Sequence, residues 1–491
     1  MYKWIEIGAN PDYNALAKYI DAEFDPARVA SRLERGISQA VKAVLIEPNY
    51  VDKDYRSTYY HFYAKKGQRY RPDCVRLHFF DGAVSFDEKA LALNCADSKL
   101  GDHYFGYMVL RPTGIATIGR SILSPDISQA KGRVMHAAHK VHLLGERLEV
   151  NGFPSMDQHN DISVCAHAAC WSILRHYSER FSATREYLTH DITRMAHEYN
   201  PGGLVPSKGL QLSHAERVFQ EAGTFPIVVT KSSPGSAEDD PLFYRQLLAY
   251  VESGFPLFAA MHGKGHAIAI VGHERSTLPV TPNGSLLHAW DETKSLIVID
   301  DNHLPYLTVP VSPNSNVGPN ICGYSAQDID AFIVPLAEKV FYPADAVEEL
   351  AKLLWKFKDL IGLSDEDDST IRYFITTSSS LRRFMRGRSS EYDPRLLASA
   401  MLLPMAQFVW VIEIASSQDW ASGNISARAV VDATASLREA LPLWLFHSRN
   451  AAVVFERNVV NGGASGLLKF AGLGTNAFTP MDQNLRPILA K

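Results

Sequence analysis

The sequence predicts an α+β protein made of three regions, and three observations carry that expectation. In residues 151–335 the helical patterns come first and the strand patterns follow, rather than alternating one for one. The extended segments are rich in β-branched and aromatic residues and are bounded by Asp, Gly or Pro. The chain has 491 residues, too many for one core when domains run to about 100–200 residues. The order of helix and strand patterns places the regions at 1–150, 151–335 and 336–491, the outer two being α+β segments of unassigned role.

In the first region, Asp25 caps an amphipathic helix that ends at Gly36, and Val75–Phe80 and Tyr104–Leu110 read as strands. Val141–Val150 reads as a hairpin or a bent strand pair. The second region has helices at Cys165–Arg180, Gly209–Ala222 and Pro241–Ser253, with a Gly/Pro loop at Asn200–Pro206. Strands follow at Pro256–Met261, Ala267–Gly272 and Leu296–Asp300, and the turn-rich stretch Glu274–Lys294 bridges two of them. The third region opens with a long helix, Ala344–Leu360, and an acidic turn at Ser364–Ser369. Strands are expected at Ile371–Thr376, Phe408–Ile414, Ala427–Thr434 and Leu443–His447, and the tail from Gly462 reads as loosely ordered.

Composition excludes several classes. Apolar residues at 46% and charged residues at 21% are ordinary for globular chains and argue against a disordered or fibrous one. With 49 basic and 54 acidic side chains, the formal charge of -5 gives no global pull toward nucleic acid or an anionic membrane. Five cysteines, an odd number, do not form a disulfide framework, and the N-terminus lacks a signal-peptide apolar run. A reduced, cytoplasmic protein is expected. The apolar stretch Leu396–Ala415 is interrupted by Pro404, Gln407 and Glu413 and reads as a short helix followed by a buried strand, not a membrane span.

The chemistry-bearing segment is Gln158–Tyr177, where a polar loop runs into Cys165 and a helical pattern begins. A thiol at a helix N-terminus sits near the positive end of the dipole, which favours the reactive thiolate. The amide of Gln158 and the backbone N–H of Cys165 together would make an oxyanion hole. His266 stands at the mouth of an apolar strand and supplies a base, and Leu296–Ile299 ends in Asp300 and Asp301, either of which could orient the imidazole.

Cys165-Ala-His-Ala-Ala-Cys-Trp-Ser-Ile-Leu-Arg-His-Tyr resembles, without a gap, the nucleophile motif of papain-like cysteine peptidases, nearest to the branch that cleaves double-glycine leaders. His266-Ala-Ile-Ala-Ile-Val-Gly is similar to the histidine strand of the same superfamily, and Asp301 matches the position of its orienting acid. The resemblance covers residues 151 to about 335 and implies a helix carrying the nucleophile, packed against an antiparallel sheet. It further implies hydrolysis of peptide or isopeptide bonds, with Cys165 as nucleophile, His266 as base, Asp301 as orienting acid and Gln158 at the oxyanion. Acyl transfer or deamidation on the same triad, and a catalytically silent binding module, are the alternatives.

Three positions depart from the family pattern. Ala166 and His167 replace Gly and Pro, Gln158 lies seven residues before Cys165 with His159 in the usual place, and Asn302 replaces the proline after the acid. The last departure leaves Asp300 and Asp301 hard to separate. Cys170 is a rival nucleophile, but Val164 would then occupy the glutamine position, so Cys170 reads as a small buried residue. His262, Lys264 and His273 read as a solvated turn near His266. The basic clusters Lys65–Arg71 and Arg382–Arg388 read as solvated faces rather than nucleic-acid sites. No metal or nucleotide motif is present, so no cofactor and no metal are expected, and the resemblance implies a protein or peptide substrate.

Overall fold

The computed structural model describes residues 2–8, 12–82, 99–159, 164–196, 209–233, 240–275, 286–313, 322–337, 340–363, 368–439, 441–457, 464–471, 478–482 and 484–489. The Asn200–Pro206 loop, residues 276–285 of the Glu274–Lys294 bridge and most of the acidic turn after Leu363 lie outside them. The fold is α+β, built on three sheets whose strands pair antiparallel except where Leu286–His288 runs parallel to Ser369–Ile371.

Each sheet comes mainly from one region. The first has the order Lys3–Glu6, Ala43–Tyr50, Cys74–Phe80, Tyr104–Leu110, Ile118–Leu123, Glu146–Ser155, Ala137–Leu143. Its last two strands are the expected hairpin, turning at Leu144 and Gly145, which both have positive φ. The second runs Leu307–Pro310, Thr293–Ile299, His266–Arg275, Leu257–Met261, Ala331–Leu336, Phe225–Thr230. The third follows Leu286–His288, Ser369–Thr377, Phe408–Ser416, Ala427–Asp432, Leu443–Ser448, Ala451–Arg457, Ala464–Ala471.

The regions exchange strands at their junctions. Arg133–Val134 leaves the first region to pair with Gly272–His273, and Arg486–Pro487 returns from the C-terminal tail to pair with Arg133–Val134. The helix Pro241–Glu252 packs against both the second and third sheets, so Ile268 and Val298 share one apolar core with Trp410 and Ile412. The first sheet has separate cores on its two faces, centred on Leu77 and Phe79 on one side and Leu45 and Phe80 on the other. That alternation is the period-two pattern of a strand covered on both faces.

The structure departs from the sequence expectation at several points, each with a local cause. The long helix stops at Trp355, where Phe357 leaves helical geometry, and Lys358–Ile361 forms a separate turn closed by Gly362 at φ 83°. Phe225–Thr230 and Ala331–Leu336 are paired strands whose signal was hidden by proline, since Pro226 and Pro335 stand opposite each other in register. The tail from Gly462, expected to be loosely ordered, contributes the strand Ala464–Ala471 beside Ala451–Arg457. Within Leu396–Ala415 the chain makes a helix ending at Leu402 and then the strand Phe408–Ser416, and no described helix is long and apolar enough to cross a membrane.

Candidate active site

The helix Cys165–Arg180 is buried on nearly every side from Ala166 to Tyr177. It lies against His266–Arg275 and Glu146–Ser155. Tyr177 fixes it by donating to the carbonyl of Pro335 at 2.7 Å. At its N-terminus Val164 is extended, and the His167 ring nitrogen Nδ1 accepts from the Val164 backbone N–H at 3.3 Å. This is one half of a capping box, with the side chain of the third helical residue reaching back to the cap. His167 thus starts the helix where the family pattern has proline. Cys165 is left half-buried at the first helical position, where backbone N–H groups lack intrahelical acceptors.

His266 opens its strand directly after a tight turn, His262–Lys264, closed by Gly265 at φ 58°. A side chain at 265 would meet no neighbouring atom, so glycine is needed there for its conformation, not for space. The thiol of Cys165 is near enough to the imidazole to raise its basicity. Its Nε2 lies 3.2 Å from Asp300 Oδ2, an ion-pair contact set off the line of the ring N–H. With Nε2 facing the carboxylate, Nδ1 is the nitrogen left for the thiol.

The carboxylate behind His266 is therefore Asp300, whereas Asp301 was expected there. Strand register explains the difference. Ala269 pairs directly with Ile299, so those two side chains share a face. His266 is an odd number of residues from Ala269, and Asp300 is one from Ile299, which puts both on the opposite face. Asp300 is further held by the Tyr324 hydroxyl on Oδ2 and by the Asn302 backbone N–H on Oδ1 at 2.8 Å. A proline at 302 could not make the second bond, because it has no N–H. The departure from the family pattern thus supplies a donor to the acid.

Burial works against charge on both partners, but their contacts prevail. Burial alone would lower the basicity of His266, yet Asp300 and Cys165 together raise it to about 10. Burial alone would raise Asp300, yet His266, Tyr324 and Asn302 hold it below the usual carboxylate range. Asp301 sits beside them, 6% exposed, and neither of its carboxylate oxygens has a hydrogen-bond partner among the described residues. Burial and the neighbouring Asp300 charge push it up to about 7, with His266 opposing.

Gln158 is half-buried, and its backbone carbonyl accepts from Arg111 at 3.4 Å. His159 is 3% exposed with both ring nitrogens engaged, Nε2 by Arg111 at 2.5 Å and Nδ1 by the Tyr63 hydroxyl at 3.3 Å. It has no ring nitrogen to spare. Cys170 is fully buried, and burial pushes its thiol well above the ordinary range, with Cys165 adding to the shift. The inert reading of Cys170 fits that environment. Tyr324, brought in by the loop before Ala331–Leu336, carried no sequence signal, because only the closed sheet sets it against Asp300.

Of the other candidates, His262 and Lys264 are exposed on the turn, while His273 is buried 2.8 Å from Glu252 and well inside the sheet. In Arg382–Arg388 the helix buries Leu381, Phe384 and Met385 and turns Arg383 and Arg386 to solvent. In the other basic cluster, Arg71 pairs with Asp21 and Glu23. Among the described residues one group, His266, Asp300 and Asp301, brings potential metal-ligand atoms within 4.8 Å of one another. A metal needs the imidazole neutral, whereas the contacts here favour its protonated form.

Compared with protein-family models, with curated proteins and with solved structures, the chain matches none.

Proposed function

We propose that the protein is a cysteine peptidase whose middle region has a papain-like arrangement and hydrolyses peptide or isopeptide bonds. The observation that carries this reading is the packing of the helix headed by Cys165 against the strand headed by His266, with Asp300 3.2 Å from Nε2 of that ring. Cys165 Sγ attacks the scissile carbonyl carbon, and the thiol proton resides on His266 Nδ1. The negative charge that develops on the carbonyl oxygen is met by the Cys165 backbone N–H and the Gln158 amide. His266 returns the proton to the leaving amine as the C–N bond breaks, and a thioester remains. A water molecule, deprotonated by His266, then attacks the thioester carbon. The C–S bond breaks, and the acid product leaves. Asp300 holds the ring and stabilises its charge throughout.

The reading is tested with iodoacetamide at neutral pH, the modified residue being located by peptide mapping. Among the cysteines of the described residues, Cys165 is expected to react first, because Cys74 and Cys170 are buried and burial raises the half-buried Cys322 thiol. His266→Ala should slow that reaction by about 10²-fold or more. Equal rates in the two proteins would sink the proposal.

A pH profile adds a second check. The contacts of His266 hold its proton up to about pH 10. The high-pH limb of ester hydrolysis should therefore fall near pH 10. A limb near the ordinary histidine value of about 6.5 would mean that His266 is not the acid that protonates the leaving group.

A further inference from the structure

The segment Asp157–His159 belongs to the middle region in sequence, but its anchors come from the first region. Arg111 follows the strand Tyr104–Leu110 and is 2% exposed. Its guanidinium donates to the carbonyls of Asp157 at 3.1 Å and Gln158 at 3.4 Å, and contacts His159 Nε2 at 2.5 Å. The same group is fixed from behind by the carbonyl of Ala116. Asp157 is held twice more, by an ion pair with Arg32 of the helix Pro26–Gly36 and by its N–H on the carbonyl of Ile118 at 3.0 Å. Tyr63 closes the set on His159 Nδ1.

These contacts decide how the backbone enters the loop before Cys165. Guanidinium presents a planar fork of five N–H donors, so one arginine can set two consecutive carbonyls and a ring at once. Arg111 is fully buried, and a buried charge is costly to maintain unless its hydrogen bonds are made.

We infer that Arg111 is a positioning residue: through it the first region sets the place of Gln158 and completes the oxyanion hole of the middle region. The inference rests on the peptidase reading of Cys165 and His266 and adds the function of the N-terminal region to it. The first region is then part of the active centre rather than a detachable regulator.

The full-length protein allows a test that separates the two ideas. Alkylation of Cys165 by iodoacetamide displaces iodide directly and forms no oxyanion, so it reports on the Cys165–His266 pair alone. Hydrolysis of p-nitrophenyl acetate passes through a tetrahedral oxyanion and needs the hole. Arg111→Met should lower kcat/KM for the ester by about ten- to a hundredfold and change alkylation by less than about threefold. Gln158→Ala should cost about as much, and the double variant no more than Gln158→Ala alone, because both changes remove one device. Tyr63→Phe, a mild change, should give a smaller loss that likewise vanishes in the Gln158→Ala background.

Additive losses, an unchanged ester rate, or a matching fall in alkylation would overturn the inference, the last by assigning Arg111 to general integrity. If wild-type alkylation does not depend on His266, the peptidase reading itself fails, which is a different outcome.

Discussion

Asp300→Ala is expected to reduce hydrolysis of p-nitrophenyl acetate by about 10²–10⁴-fold, the range spanned by loss of an acid that orients a catalytic histidine. Asp300 is the carboxylate in contact with His266 Nε2, and it is bound by Tyr324 and Asn302 so that it cannot swing away. Without it the ring loses the partner that fixes its tautomer and stabilises its charge. Asp301→Ala, one residue away, should cost less than about tenfold, since Asp301 makes no hydrogen bond among the described residues. Side-by-side kinetics of the two variants decide the matter. A larger loss at Asp301 would return the orienting role to the residue that the sequence resemblance selects.

Asp301→Asn is expected to stabilise the protein, and by an amount that depends on pH. The folded-state value of Asp301 is about 7, against about 3.9 for an unfolded chain. Because the folded value is the higher one, native Asp301 keeps its proton where the unfolded chain has lost it. The wild type therefore loses stability from this site as pH rises from about 4 to about 7, and no more beyond that. The full shift corresponds to at most about 4 kcal/mol, and water entry would reduce it. Asparagine does not ionise, so the variant escapes this loss. Chemical denaturation of both proteins between pH 4 and 9 should give a difference that grows toward pH 7 and then levels. The contribution of His266, lost as pH rises from about 6.5 to about 10, is present in both proteins. A difference that stays constant with pH would mean that Asp301 is ionised throughout.

The two variants divide a pair of adjacent carboxylates that sequence reading could not separate. Both follow the strand Thr293–Ile299, both are acidic, and the family pattern points to the second. A shift of one position along a strand reverses the face, and only the pairing of Ala269 with Ile299 states which face His266 uses. The same limit applies to Tyr324 and Arg111, which are unremarkable in sequence and become important through closure of the sheet and docking of the first region. By contrast, the helix beginning at Cys165 was legible down to its ends, Cys165 and Arg180. A helical pattern running over four turns is a local property, and its length set it apart from a strand.

What the sequence determined by itself is much of the local layer: many of the helices and strands, that the architecture is α+β, and that Cys165 and His266 each stand at the head of an element. What only the tertiary structure decided is which groups meet. It chose Asp300 over Asp301, engaged both nitrogens of His159, turned Asn302 into a donor to the acid, and lent Arg111 from a distant region to the Gln158 segment. The physical reason is range. Helix and strand preferences arise from neighbours within a few residues. Register and long-range hydrogen bonds depend on how separate elements pack, and no local pattern encodes them.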